Sequence, residues 1–514
     1  MNGPVEGPRA RLDLGPAARA VVVIAVALVL TAAIRLVFAR AVGEDEAFFV
    51  IVGRNWLAGL LPYAHGYDVK PPGLFLLVAA AQLLFGPTIA SIKALEIVAV
   101  AAGAAALHGL AARHVSRPVA WWALAVYPVV TLFASGDILP TILIQAPFVV
   151  LAFWAVLEAR GGAGIGRLVL AGLAIGAAGM IKQTALFEAI ALVVLAGVGR
   201  RDGVPLVRAL IGATTAIGAG ALVVPALFAL YFAHHGLLGV AFDGAVIGAV
   251  GRLKGDVMVA PGSTDVVRLT MLDAVTRLPA LLKPFVGLAS LALLAWMRRG
   301  AIAARIPGLW FSTTVIWFVA AIAGVLAVKA MYDNYMHAAI APMVLAAGVL
   351  VCHGLEAATH AGRRAGAAIA TAFAFVPPLV LPMPLASDAA DMEAVRAAAA
   401  IVRRAGPVPG DLVLVPLRGL PLTVEVGLFP PWRYVDPLHM MCDFPAPDED
   451  PLARVLATTP RFVVTASPER AMVCERADRH AELAAALAER YRPLGVGRGR
   501  WDAYAVYERV APAL

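Results

Sequence analysis

Two acids and a lysine are the first residues in this chain whose placement suggests chemistry. Asp45 and Glu46 follow an apolar run that ends near Phe38, and Lys70 opens the segment Lys70-Pro71-Pro72-Gly73. Paired prolines block a preceding helix and stiffen the chain, which fixes Lys70 at the mouth of the short apolar stretch 71–85. A lysine held there suits a lipid phosphate. Alone, such a lysine would simply snorkel, and acids beside a membrane are ordinarily solvated. Here the three charges share one loop with Phe48, Phe49, Trp56, Tyr63 and Tyr67. Asp137 stands in Ser135-Gly136-Asp137, and Lys329, Tyr332, Asp333, Asn334 and Tyr335 gather farther on. Asp45, Glu46 and Asp137 could supply a hard-oxygen site for Mg²⁺, Mn²⁺ or Ca²⁺. His65, His234 and His235 could join a Zn²⁺ site, although histidines scattered over loops ordinarily just face water.

The elements that must position these groups are membrane spans. Of 514 residues, 61% are hydrophobic and 15% charged, whereas a soluble domain is about half apolar and about a quarter charged. Apolar runs of bilayer-crossing length lie at 20–38, 88–112, 118–134, 141–158, 166–180, 184–199, 206–233, 279–297, 307–328, 336–356 and 365–384. The run 71–85 falls short of the ~17 residues a span requires and reads as an interfacial helix. With it held on one side and the N-terminus cytoplasmic, six basic clusters all face inward: Arg9/Arg11/Arg19, Arg113/Arg117, Arg160/Arg167, Arg200/Arg201/Arg208, Arg298/Arg299/Arg305 and Arg363/Arg364. That is the positive-inside pattern, and it accounts for the net charge of +8 without nucleic acid as a partner. The sequence therefore predicts a mostly α, polytopic membrane protein with about eleven spans over 1–384 and a soluble region over 385–514 on the outer side. The outer loops are 39–87 with its juxtamembrane helices, 135–140, 234–278 and the segment around Lys329 to Tyr335.

The tail reads as a small α/β domain, with helices at 388–404, 448–457 and 478–491 and strands at 411–415, 461–465 and 503–507. It carries no phosphate-binding glycine loop and no Ser/His/Asp arrangement. Three cysteines exclude a disulfide scaffold; Cys442 and Cys474, both in the outer region, could pair.

Taken in order, the Asp-Glu pair after the first span, the aromatic loop, Lys70-Pro71-Pro72 and a short apolar run ending Leu84-Phe85-Gly86 resemble the glycosyltransferase-C superfamily. The likeness is to the branch containing protein O-mannosyltransferases and the lipid A aminoarabinose transferase. Ser135-Gly136-Asp137 looks like that family's second acidic site, and Tyr332-Asp333-Asn334-Tyr335 with Ile340-Ala341-Pro342 looks like its aromatic entry to a late span. The tail resembles its extracytoplasmic α/β domain. One departure is the glycine after Lys70-Pro71-Pro72, where many relatives carry leucine.

The resemblance implies an integral-membrane enzyme of the bacterial inner membrane. It would move a sugar from a polyprenyl-phosphate donor to an envelope acceptor on the extracytoplasmic face. Asp45 would be the general base, with Glu46 orienting the acceptor or binding metal. Lys70 would face the leaving phosphate, with Lys329 as a second cation and Tyr332 and Tyr335 as hydroxyl donors. One Asp base fits a single-displacement, inverting reaction; a retaining one would need Asp137 as nucleophile. The rival reading is a lipid or glycolipid transporter, which should place ionisable groups or broken helices near mid-membrane. Glu96, His108 and Glu188 are its candidates. A transporter also has no evident use for residues 385–514.

Overall fold

The computed structural model describes residues 15–39, 41–136, 138–160, 164–199, 203–253, 258–259, 266–267, 271–328, 332–355, 360–380, 390–442, 450–466 and 475–510. The first half is helical: α1 (Pro16–Phe38), α2 (Glu44–Leu57), α3 (Pro72–Phe85), α4 (Ile89–His114), α5 (Arg117–Val130), α6 (Thr141–Glu158), α7 (Ile165–Gly179), α8 (Ala185–Val198) and α9 (Leu206–His234). Among the described residues, seven helices are long and apolar enough to cross a membrane: α1, α4, α6, α9, Met271–Met297, Leu309–Ala327 and Asp333–Gly354. The protein is thus a multi-pass membrane protein.

The other four expected spans are helices of a different build. α5 has 14 residues, with Pro128 inside it, and the chain turns at Thr131, whose hydroxyl donates to Pro128 O. α7 and α8 have 15 and 14 residues, below the usual crossing length, and are joined by a tight turn. Helix His360–Val380 carries Arg363 and Arg364 near its start and Pro377-Pro378 near its end. The 71–85 run forms α3, started by Pro71 as N-cap.

α1 and α9 turn apolar side chains outward: Val29 is 70% exposed and Leu222 68%. In water such faces would be sticky patches; against acyl chains they are the lipid-facing surface. The interior is packed with aromatics, including Phe153 stacked on Trp317 at 4.2 Å and an edge-to-face cluster of Phe48, Phe49 and Phe75 that joins α2 to α3.

Two short strands, β1 (Met258–Val259) and β2 (Val266–Val267), pair antiparallel. The tail holds β3 (Val413–Leu414), β4 (Phe462–Ala466), β5 (Tyr491–Arg498) and β6 (Ala503–Arg509) in the order β3-β4-β6-β5. β3 and β4 are parallel and the other pairs antiparallel. Helix Met392–Arg404 covers the sheet, capped by Asp391, which also accepts from the amides of Trp501 and Asp502. Like the short helices Pro421–Val426 and Pro437–Met441, the tail strand β5 is missing from the sequence reading. Its Pro493, Gly495 and Gly497 disfavour a strand, yet a Cβ at Gly497 would lie 2.3 Å from Ala398 N, so the glycine is what lets the helix sit down on β5. Cys442 is disulfide-bonded; Cys474, its expected partner, lies outside the described residues.

Candidate active site

The site grows from the first turn of α2. Gly43 is the N-cap and Glu46 closes a capping box on it, its Oε2 accepting from Gly43 N at 2.7 Å. Three consecutive acids in this turn complement the helix dipole. Helical spacing sends them to three different environments. Glu44 accepts from Gly419 N at 2.9 Å and Leu420 N at 2.8 Å, reaching into the tail. Asp45 is 58% exposed and lies 3.4 Å from Lys70 Nζ. Glu46 is 1% exposed, and its Oε1 takes Leu139 N at 3.0 Å and Lys93 Nζ at 2.9 Å.

Lys70 is aimed by its neighbours. Asp68 Oδ2 lies 3.1 Å from Lys70 Nζ, while Asp68 Oδ1 accepts from Val69 N and Lys70 N. The Phe49 ring lies 5.0 Å from Nζ. Tyr63 OH donates to Lys70 O at 2.8 Å. A cation thus stands between two carboxylates on an aromatic floor, with Asp45 on its open side.

The 131–139 turn is held against this assembly by buried charge. Arg35, 2% exposed, donates to Glu96, to Gly136 O and to both oxygens of Thr131. Glu96 also pairs with Lys93 at 3.4 Å, so Arg35, Glu96, Lys93 and Glu46 form one alternating chain across α1, α4 and α2. Glu96 is a member of this network and has the partners that the sequence did not reveal. Ser135 donates to Asp333 Oδ2 at 2.8 Å, and His337 bridges Asn334 O and Thr131 O. The turn, α2 and the late outer segment are therefore one polar unit. Asp137 and Lys329 lie outside the described residues.

A second cation, Lys182, went unnoticed in the sequence. It sits in the α7–α8 turn with Nζ 3.7 Å from the centroid of the Tyr335 ring, and Tyr335 packs edge-on to Tyr332 at 5.5 Å. Gln183 beside it donates to Val69 O at 2.7 Å and Ala245 O at 2.8 Å, so the turn is docked on the Lys70 segment. Gly73 makes this docking possible, since a Cβ there would fall 2.5 Å from Met180 O. The signal was available: Lys182 is a cation in the short break between the apolar runs 166–180 and 184–199.

The tail closes over the same loop. Asn55 donates to Pro430 O at 2.9 Å, His65 to Pro431 O at 2.6 Å and Tyr67 N to Arg433 O at 2.6 Å. The Tyr67 ring packs on Tyr434 and His439. Burial, reinforced by the Asp243 charge, pushes the Tyr67 phenol up to about 12. Burial likewise raises the Asp436 carboxyl; the nearby Asp45 and Asp68 charges push it the same way, and His439 opposes them. Glu44 is raised to about 7 because its burial outweighs the two amide hydrogen bonds. His234 and His235 pack together at the end of α9, near Tyr231. Among the described residues no group of three His, Cys, Asp or Glu side chains is arranged to hold a metal ion.

No family model matches the chain, and no curated protein does. Solved structures do. ArnT from Cupriavidus metallidurans, bound to undecaprenyl phosphate, superposes with a TM-score of 0.61 at 15% identity, over 97% of this chain and 99% of that one. The oligosaccharyltransferase AglB from Archaeoglobus fulgidus, in complex with an inhibitory peptide and a dolichol-phosphate, superposes with a TM-score of 0.51 at 14% identity, over 87% of this chain and 69% of that one. An Archaeoglobus fulgidus oligosaccharyltransferase in the apo form gives 0.54 at 12% identity over the same shares. The fold is that of these membrane proteins, a helical membrane region with a C-terminal α/β region.

Proposed function

We propose that this protein is a membrane glycosyltransferase that moves a sugar from a polyprenyl-phosphate donor to an envelope acceptor (lipid, glycan or protein) on the extracytoplasmic face. The observation that carries the reading is the exposed Asp45 carboxylate 3.4 Å from Lys70, on a fold shared with a protein solved with undecaprenyl phosphate. An acceptor hydroxyl gives its proton to Asp45 as its oxygen attacks the sugar's anomeric carbon. The bond to the carrier phosphate oxygen breaks, and the charge that develops there is met by Lys70, with Lys182, whose turn is docked beside it through Gln183, as the second cation. One Asp base fits a single, inverting displacement; Asp137 is the nucleophile of the less favoured retaining course.

Glu46 takes a different part from the one the resemblance implied. Both its oxygens are engaged by Gly43, Leu139 and Lys93, so it positions the first turn of α2 and leaves Asp45 to act. It does not fit a ligand set with Asp45, and no step here passes through a metal. The membrane region has eleven crossings, with α5, α7, α8 and helix His360–Val380 completing the seven long ones, the N-terminus inside and the tail outside. The enclosing membrane is the bacterial inner membrane.

Asp45→Asn tests the assignment, because it keeps size and removes the proton acceptor. Losing a general base costs about 10²–10⁴-fold in rate. The purified variant should bind the polyprenyl-phosphate sugar and transfer it at no more than about 1% of the wild-type rate. Wild-type turnover would move the base elsewhere, to Asp137 first.

A further inference from the structure

At the end of the helices remote from Asp45 lies a cavity that the transfer reaction does not use. α6 leaves the site at Thr141 and runs 18 residues to Glu158, roughly 27 Å along its axis. There, between α6, α7, α8 and α9, a cavity of about 340 Å³ is walled by Leu168, Ala196, Gly199 and Gly212 and by two cations, Arg160 and Arg208. None of the described residues lining it is acidic.

Arg160 lies flat on the glycine that caps α8: a Cβ at Gly199 would fall 1.7 Å from Arg160 Nε. Its Nη1 is shut off from solvent and makes no hydrogen bond. A buried donor without an acceptor is costly, and a guanidinium is the group best shaped to take two oxygens of a phosphate. Arg208 stands exposed on the facing wall. Two cations, a donor in want of an acceptor and a wall of small apolar residues match an anionic headgroup whose acyl chains continue along the helices.

We infer that this cavity binds the phosphodiester headgroup of one anionic phospholipid, drawn from the leaflet opposite the active site. Wild-type protein, Arg208→Gln, Arg160→Gln/Arg208→Gln and Gly212→Leu are reconstituted in phosphatidylcholine nanodiscs with and without phosphatidylglycerol, and retained lipid is counted by native mass spectrometry. A cation near the surface contributes about 1 kcal/mol toward an anionic lipid, which is roughly fivefold in affinity. Phosphatidylglycerol binding should therefore fall about fivefold in Arg208→Gln and about thirtyfold in the double variant. A Cβ at Gly212 meets nothing within 4 Å, so Gly212→Leu fills the cavity without displacing its walls and should lose the lipid while folding normally. Equal retention of phosphatidylcholine and phosphatidylglycerol by the wild type would overturn the proposal. So would unchanged phosphatidylglycerol binding in both Arg208→Gln and Gly212→Leu, neither of which threatens the fold. Heat protection by inorganic phosphate equal to that by phosphatidylglycerol would reassign the cavity to a free anion.

Discussion

Lys70 and Lys182 approach the site from separate parts of the chain, each resting on an aromatic ring. Lys70→Ala should cut donor use about 10²–10³-fold, the usual loss for one charge-stabilising donor, with little change in melting temperature. Lys70→Arg should recover only part of it, because the planar guanidinium places its charge differently between Asp45 and Asp68. At Lys182 the centroid of the Tyr335 ring lies 3.7 Å from Nζ, and the proposed contribution of Tyr335 is through that ring rather than its hydroxyl. Tyr335→Phe should transfer at near the wild-type rate. Tyr335→Ala, which removes a cation–π contact worth about 0.5–2 kcal/mol, should lower donor affinity by up to about thirtyfold. Equal losses in the two Tyr335 variants would show that the hydroxyl matters instead. Glu46→Ala should behave as a stability variant, costing about 1–3 kcal/mol through the donors it leaves unpaired, and added divalent cation should not restore its activity.

At the scale of elements, the first turn of α2 is the joint between membrane region and tail, and Glu44 is its clamp. A carboxyl raised from 4.5 to about 7 in the folded protein binds more protons folded than unfolded between those values. Its contribution to stability therefore falls as pH rises from about 4.5 to about 7 and is flat above. Thermal unfolding in detergent should show a higher midpoint at about pH 5.5 than at about pH 8, and Glu44→Gln, which carries no such proton, should remove that part of the slope. An identical slope in wild type and Glu44→Gln would assign the effect to other groups, Asp436 among them. The α7–α8 turn is the second joint. Gly73→Ala forces a Cβ against Met180 O, and overpacking of this kind costs about 1–3 kcal/mol. Its activity should suffer more than its stability, because the displaced turn carries Lys182.

Over the whole molecule, the proposed chemistry sits at one end of the helix bundle, while Arg113, Arg160 and Arg208 lie by the far end of α6. Single cysteines at Val408, which is 55% exposed, and at Arg299, introduced in a background where Cys352 is serine, test that polarity. In permeabilised outer envelopes an impermeant maleimide should label the Val408 site and not the Arg299 site. Labelling of both would break the eleven-crossing topology and put the tail and the inner loops on one side.

The sequence by itself determined the membrane class, the sites of the long spans and the loop that holds Asp45 and Lys70. Hydrophobic run length, basic-residue asymmetry and a Pro-Pro stop are all local signals, readable without a fold. It also placed most of the tail's helices, because Asp391, Asp450 and their followers are local caps. Tertiary structure alone decided which acid does what. Glu44, Asp45 and Glu46 are adjacent and chemically alike, and only the elements that surround them make one a clamp, one an exposed carboxylate and one a buried cap. The same holds for Lys182, whose meaning comes from a turn brought onto the Lys70 segment from over a hundred residues away, and for Glu96, whose partner Arg35 lies 61 residues off. β5 stayed hidden because its glycines serve a helix packed across it, a contact that no pattern within the strand records.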